Sequence, residues 1–109
     1  MSARFIGEVR TEELQRALAD VAAELTGLSP GFRYLVDFSQ FESMNLDDTP
    51  MVGRVMELLG HAGVGLVVRV IPDPSKDIGM NILTVFHYPH DLKVITCQKM
   101  SEAAEALGL

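Results

Sequence analysis

The sequence has a single cysteine, few basic residues and no long apolar run. Cys97 is the only cysteine among 109 residues, so no internal disulfide can form. Nine Lys and Arg residues stand against 15 Asp and Glu, which gives a formal net charge of −6, and the basic residues are scattered along the chain. An acidic chain without clustered cations repels phosphate backbones and anionic lipid surfaces, so we expect no nucleic-acid partner.

Signals for membrane insertion and export are also missing. No segment contains the 18 or more apolar residues that a membrane span requires. The first seven residues lack the charged start and the apolar stretch of a signal peptide. These absences predict a cytoplasmic protein with no membrane span.

Patterns typical of catalysis and metal binding are equally sparse. No glycine spacing matches a phosphate-binding loop or a dinucleotide fingerprint. His87 and His90 are three residues apart, but Pro89 between them keeps them off a shared helical face. Cys97 ends an apolar segment, where a small core residue is expected and not a nucleophile. We therefore expect no catalytic residues, no cofactor and no metal, and the protein is not predicted to be an enzyme.

Apolar residues supply 48% of the chain and charged residues 22%. Such a composition is typical of a packed core and not of a disordered chain. A length of 109 residues is usual for one domain, so residues 1–109 are predicted to form a single domain.

Strand and helix patterns alternate along the whole chain. Apolar strand patterns cover residues 4–9, 33–39, 64–71 and 92–97, and an irregular segment is expected over residues 40–48. Helix starts are marked by Thr11, Thr49-Pro50, Ser75 and Ser101. Strict alternation predicts an α/β domain with a four-stranded, mostly parallel sheet and about four covering helices.

The segment after the second strand is rich in carboxylates and hydroxyls and lies at a predicted helix N-terminus. Capping and favourable interaction with the helix dipole is one interpretation of this composition. The other is a surface that a protein partner or a modifying enzyme recognises. The candidate contact residues of this segment are Ser43, Asn45, Asp47, Asp48 and Thr49.

The third predicted helix, residues 77–88, is apolar over most of its circumference. Ile78, Ile82, Val85 and Phe86 form a stripe that the sheet can bury. Met80, Leu83 and Tyr88 extend the apolar character beyond this stripe. Such a helix is either wholly buried or contacts a twin subunit, another partner or an apolar ligand. Flexible methionines on the second and third helices suit an adaptable surface. The candidate apolar surface consists of Met51, Met56, Met80, Ile82, Leu83 and Phe86.

The order of elements and several short segments resemble a known family. Gly7 follows a strand, Thr11-Glu12-Glu13-Leu14 opens a helix, Val36-Asp37-Phe38-Ser39 ends a strand, and Ser101-Glu102-Ala103-Ala104 opens the last helix. From Gly7 to Leu107 the chain resembles the STAS domains, the fold of bacterial anti-sigma-factor antagonists, and especially their SpoIIAA-like relatives. This resemblance implies a regulatory protein-interaction module.

The chain departs from that family at the phosphorylated loop. Phosphoregulated STAS domains carry Asp-Ser-Ser/Thr-Gly there, and this motif falls on Asn45-Leu46-Asp47-Asp48. Asp47 occupies the phosphoacceptor position and Asp48 the glycine position, so the resemblance does not extend to the switch. Ser43 and Thr49 are displaced phosphoacceptor candidates. Because some SpoIIAA-like relatives resemble lipid-transfer folds, the alternative is a binder of an apolar small molecule or lipid in a pocket beside the third helix.

Overall fold

A computed structural model describes residues 1–73, 75 and 77–108, and it describes the backbone but not the side chains of residues 77 and 78. The expected alternation of strands and helices is confirmed, and helices begin within two residues of the expected starts. The elements are β1 (Ser2–Val9), α1 (Thr11–Leu25), β2 (Arg33–Met44), a 3₁₀ turn (Leu46–Asp48), α2 (Thr49–His61), β3 (Leu66–Val70), α3 (Asp77–His87), β4 (Lys93–Cys97) and α4 (Met100–Leu107).

The four strands form one sheet in the order β1-β2-β3-β4, and every pair is parallel. Right-handed crossovers between strands in sequential order place successive helices on the same side of a sheet. Helices α1, α2 and α3 accordingly share one core with that side, through residues such as Val21, Leu59 and Tyr88. Helix α4 packs on the opposite side, where Ala103 and Leu107 contact Val68 and Val70.

Strand β3 lies between the two cores and is buried on both faces. Val67 and Ile71 belong to the core under α1, α2 and α3, whereas Val68 and Val70 belong to the core under α4. Burial on both faces is the usual reason for a continuous apolar run in a parallel sheet. This explains why this strand is the clearest in the sequence.

Strand β2 is longer than the sequence pattern indicates. The expected irregular segment is wrong for residues 40–44, because β2 continues to Met44. Pairing with β3 ends at Asp37, but pairing with β1 continues through Glu8–Ser43 and Val9–Met44, with two irregularities in register. The partner strand thus supplies the backbone hydrogen bonds that allow a polar stretch to remain extended.

Helices α2 and α3 approach each other closely at Gly53. A Cβ atom at this position would lie 2.5 Å from Nε2 of His87, a shorter distance than side-chain atoms tolerate. The His87 ring is held there because its Nδ1 lies 2.7 Å from Oε1 of Glu57, one turn further along α2. The absence of a side chain at Gly53 therefore permits this packing of α2 against α3.

We expect Gly53→Ala to lower the free energy of unfolding by about 1–2 kcal/mol, because overpacking outweighs the gain in helix propensity. Gly79→Ala in α3 is the matched control. No described atom lies within 4 Å of the Cβ it would add, so it should stabilise the protein by up to about 1 kcal/mol. Urea denaturation followed by circular dichroism measures both variants. Equal effects of the two substitutions would contradict the close approach.

Candidate functional site

A cleft opens at the carboxyl ends of β2 and β3, the edge at which parallel α/β sheets commonly bind ligands. Its volume is about 270 Å³. The end of β2 and the 3₁₀ turn form one wall, and α3 forms the other. Ser39, Thr49 and Asp73 contribute polar groups to the lining. The large apolar side chains of the lining are Phe38, Phe41, Met44, Leu46, Ile71, Met80 and Leu83.

The outer side of α3 exposes large apolar side chains beside this cleft. Ile82, Val85 and Phe86 are 54%, 62% and 78% exposed, and their spacing places them on one side of the helix. We call these three residues the α3 face. Phe86 lies about one turn beyond Leu83 of the cleft wall. On the other wall, Leu46 of the 3₁₀ turn is 82% exposed.

The expected orientation of α3 is wrong. The stripe expected to pack on the sheet contains Ile82, Val85 and Phe86, which point outward, and the side chain of Ile78 lies outside the described residues. Met80, Leu83 and Tyr88, which were expected to extend beyond the stripe, pack against the core.

The orientation follows from a buried charge on β3. Arg69 is 1% exposed, and its guanidinium donates a hydrogen bond to Oγ1 of Thr84 on α3. A buried guanidinium is costly unless acceptors face it, so Thr84 has to point inward. Met80 and Tyr88 lie one turn to either side of Thr84 and point inward with it.

The residues of the predicted apolar surface do not form one surface. Met56 is buried in the core and Met51 is half-buried on α2. Met80 and Leu83 are half-buried and form the α3 wall of the cleft. The remaining two, Ile82 and Phe86, belong to the exposed α3 face.

The polar segment divides into capping residues and outward residues. Asn45 accepts a hydrogen bond from the Asp47 amide at 3.0 Å, and the Thr49 hydroxyl donates to the Leu46 carbonyl at 2.9 Å. These bonds are the local capping that one interpretation of the sequence expects. Ser43, Asn45 and Asp47 are exposed, so they remain accessible to a partner.

Asp48 does not belong to an accessible surface, which corrects its place among the contact residues. It is 6% exposed, and each carboxylate oxygen lies 3.0 Å from the Thr11 hydroxyl, which donates to it. Thr11 is the first residue of α1 and Asp48 directly precedes α2. The pair therefore joins the N-termini of two helices beside the cleft.

The two histidines and the cysteine noted in the sequence each have a local structural environment. His87 pairs with Glu57, and Nε2 of His90 lies 3.2 Å from the Val85 carbonyl oxygen. Cys97 is buried in the core under α4, and this burial raises the pKa of its thiol. Among the side chains that the structure describes, no three from His, Cys, Asp or Glu are grouped as metal ligands.

Asp37 has a structural environment on the α4 side of the sheet. Its carboxylate accepts a hydrogen bond from the Ser39 amide and pairs with Arg4 of β1, both at 2.9 Å. Burial raises the pKa of this carboxyl, but the hydrogen bonds from Ser39 and the Arg4 guanidinium outweigh it and hold the pKa below its ordinary value. Asp37 is therefore ionised at neutral pH and joins β1 to β2.

Two exposed residues of the site were missed in the sequence. Leu46 stands alone between Asn45 and Asp47 in a polar segment, and a lone leucine in such a segment indicates an exposed apolar contact. Val85 was assigned to the buried stripe. Its exposure depends on the rotation of α3, which a nearly uniform apolar pattern does not specify.

Comparisons with known proteins identify the fold. No family model matches the sequence, and no curated protein gives a significant match. The crystal structure of an uncharacterised protein of the DUF3478 family with a SpoIIAA-like fold, from Shewanella loihica, is similar to this chain with a TM-score of 0.75. The two share 12% sequence identity, and the match covers 97% of this chain and 82% of that one. The fold is SpoIIAA-like.

The SpoIIAA-like fold confirms the resemblance drawn from the order of elements. At 12% identity the likeness concerns the fold and carries no activity with it. In the described part of the chain, no helix combines the length and apolar character needed to cross a membrane. Function therefore has to be inferred from the cleft and the surfaces beside it.

We expect Thr11→Val to lower the free energy of unfolding by about 1–2 kcal/mol, because the buried Asp48 carboxylate would lose the hydroxyl that donates to it. Thr11→Ser keeps the hydroxyl and is the control, with a smaller loss. Urea denaturation of both variants at pH 7 makes the comparison. If the Thr11→Val protein is as stable as the wild type, the hydrogen bond from the Thr11 hydroxyl to the Asp48 carboxylate does not contribute to stability.

Proposed function

We propose that the protein is a non-catalytic protein-interaction module. Its contact surface consists of the cleft, the α3 face and Leu46. The supporting observation is that large apolar side chains are more than half exposed on two elements that line the cleft. Leu46 belongs to the 3₁₀ turn, and Ile82, Val85 and Phe86 lie on the outer side of α3. Soluble proteins seldom leave large apolar side chains exposed together unless another surface covers them.

The energetics of burial favour an interface at this place. Burying one leucine, isoleucine or phenylalanine side chain contributes about 1.5–3 kcal/mol. A few such anchors, packed into a pocket and surrounded by polar groups, commonly supply most of the binding energy of an interface. Leu46 and Phe86 are the two most exposed of the four residues, so a partner gains most by covering them.

The chemistry of the cleft supports binding without catalysis. Its described lining contains one charged side chain, Asp73, and no histidine, cysteine or lysine. Of the titratable groups considered above, His87 pairs with Glu57, Cys97 lies under α4, and Asp37 lies on the α4 side of the sheet. General acid–base chemistry needs such groups within hydrogen-bonding reach of a substrate.

We expect a Leu46→Ser/Phe86→Ser variant to lose its protein partners, because each substitution removes an apolar anchor. Affinity capture from a lysate of the source organism, quantified by mass spectrometry, should show at least about a tenfold loss relative to the wild type. Ile6→Ser is the matched control, since Ile6 is 58% exposed on β1, away from the cleft. Thermal denaturation shows whether each variant is folded.

Two results would contradict this proposal. The first is that all three proteins capture the same partners equally well. The second is that Ile6→Ser, while folded, loses its partners as completely as the double variant does. Either result would place the contact surface elsewhere on the molecule.

A second candidate function is the binding of an apolar small molecule, favoured by a gap in the core that adjoins the cleft. A gap of about 50 Å³ in the core beneath the sheet is lined in part by Phe38, Phe41, Met44 and Met80, which also line the cleft. Methionine side chains adapt readily to irregular shapes. A ligand in the cleft could therefore extend towards the core as these side chains move.

On this second proposal, native mass spectrometry of protein purified from its own organism should show one adduct of constant mass. Leu83→Trp narrows the cleft and should lose this adduct. Val85→Trp places the same large side chain on the exposed side of α3 and should retain it. The mass of the bare chain in the wild type would contradict small-molecule binding.

A further inference from the structure

We infer that the partner presents a cationic amphipathic helix, whose apolar side covers the α3 face and the cleft. This inference rests on the proposed function and specifies its partner. Three observations carry it: the charge of the segments around the cleft, the spacing of the exposed apolar residues, and the length of α3.

The segments that form the cleft walls are strongly acidic. The described carboxylates Glu42, Asp47 and Asp73 are all exposed. Asp73 lines the cleft, and Asp47 directly follows Leu46 in the 3₁₀ turn. Helix α3 itself contains no lysine or arginine. The described charged groups of the cleft lining and of the 3₁₀ turn are therefore carboxylates.

This charge selects among the surfaces that could cover the apolar residues. A second copy of the chain would bring the same carboxylates against themselves, and an anionic lipid surface would repel them as well. A cationic segment would place lysines or arginines opposite the rim. Charges at an interface rim act mainly on partner choice and on the association rate, whereas the apolar contacts hold the complex together.

The shape of the surface fits a helix. Leu46 lies opposite Met80 and Leu83 in a cleft of about 270 Å³. Ile82, Val85 and Phe86 follow the exposed outer side of α3. Amphipathic helices bind such grooves by inserting apolar side chains spaced three or four residues apart. Helix α3 has 11 residues and is roughly 16 Å long. A partner helix of about three or four turns would match this length.

The probe is a synthetic amphipathic peptide of about 14 residues, roughly four helical turns, with leucines on one side and lysines on the other. The same peptide with glutamates in place of lysines is the first control. Fluorescence anisotropy should show the Leu/Lys peptide binding the wild type at least about tenfold more tightly than the Leu/Glu peptide, with weaker binding as salt increases.

Substitutions separate the apolar contribution from the charge. Leu46→Ser/Phe86→Ser should weaken binding of the Leu/Lys peptide at least about tenfold. Asp47→Asn/Asp73→Asn should weaken it several-fold and reduce its dependence on salt. Glu102→Gln/Glu105→Gln makes the same charge change at exposed positions on α4, behind the sheet, and should leave the affinity unchanged.

The inference is overturned if the Leu/Glu peptide binds as tightly as the Leu/Lys peptide. It is also overturned if the α4 variant weakens binding as much as the rim variant, which would indicate general attraction to an acidic protein. A third outcome separates this inference from the proposed function. If the Leu46→Ser/Phe86→Ser variant no longer captures protein partners but the Leu/Lys peptide does not bind the wild type, the proposed function stands and this inference fails.

Two further measurements test the other occupants. We expect no co-sedimentation with phosphatidylcholine vesicles or with vesicles that also contain phosphatidylserine, and a monomer in sedimentation velocity. Vesicle binding that requires Phe86 would replace the cationic helix with a membrane surface. A dimer abolished by Leu46→Ser/Phe86→Ser would replace it with a second copy of the chain.

Discussion

The buried guanidinium of Arg69 is the constraint on which the candidate site depends. It lies within the sheet on the side covered by three helices, where a charged group is costly unless polar partners surround it. Thr84 supplies one acceptor and thereby fixes the rotation of α3 about its own axis. With Thr84 turned inward, Met80 and Tyr88 pack in the core, and the α3 face is left exposed.

The opposite wall of the cleft depends on a second polar contact. Thr11 and Asp48 join the N-termini of α1 and α2, and the 3₁₀ turn that carries Leu46 ends at Asp48. The bonds made by Asn45 and Thr49 shape the same turn. Polar residues that resemble a recognition motif in the sequence therefore serve largely to position one exposed leucine. The acidic side chains that remain accessible surround the apolar surface and do not form its centre.

Large apolar side chains are exposed mainly on α3 and the 3₁₀ turn, although Ile6 is also exposed on β1. Sequential parallel strands place α1, α2 and α3 together, so the α4 side of β1 and β2 has to be compatible with solvent, and it carries polar pairs such as Arg4 with Asp37. The carboxyl edge of the sheet remains open between α2 and α3. A binding site at this edge follows from the architecture, whereas its apolar lining and acidic surroundings follow from particular residues.

The sequence by itself determined the order of elements, the parallel sheet and the absence of a hydroxyl side chain at residue 47. These properties depend on local periodicity and on residue identity, which can be read along the chain. The tertiary structure alone decided that β2 extends to Met44, that Asp48 is buried and that α3 turns Phe86 outward. Each of these depends on a contact with a residue distant in the chain: β1 beside β2, Thr11 beside Asp48, and Arg69 beside Thr84. A helix that is apolar on nearly every side has no preferred orientation until such a contact selects one.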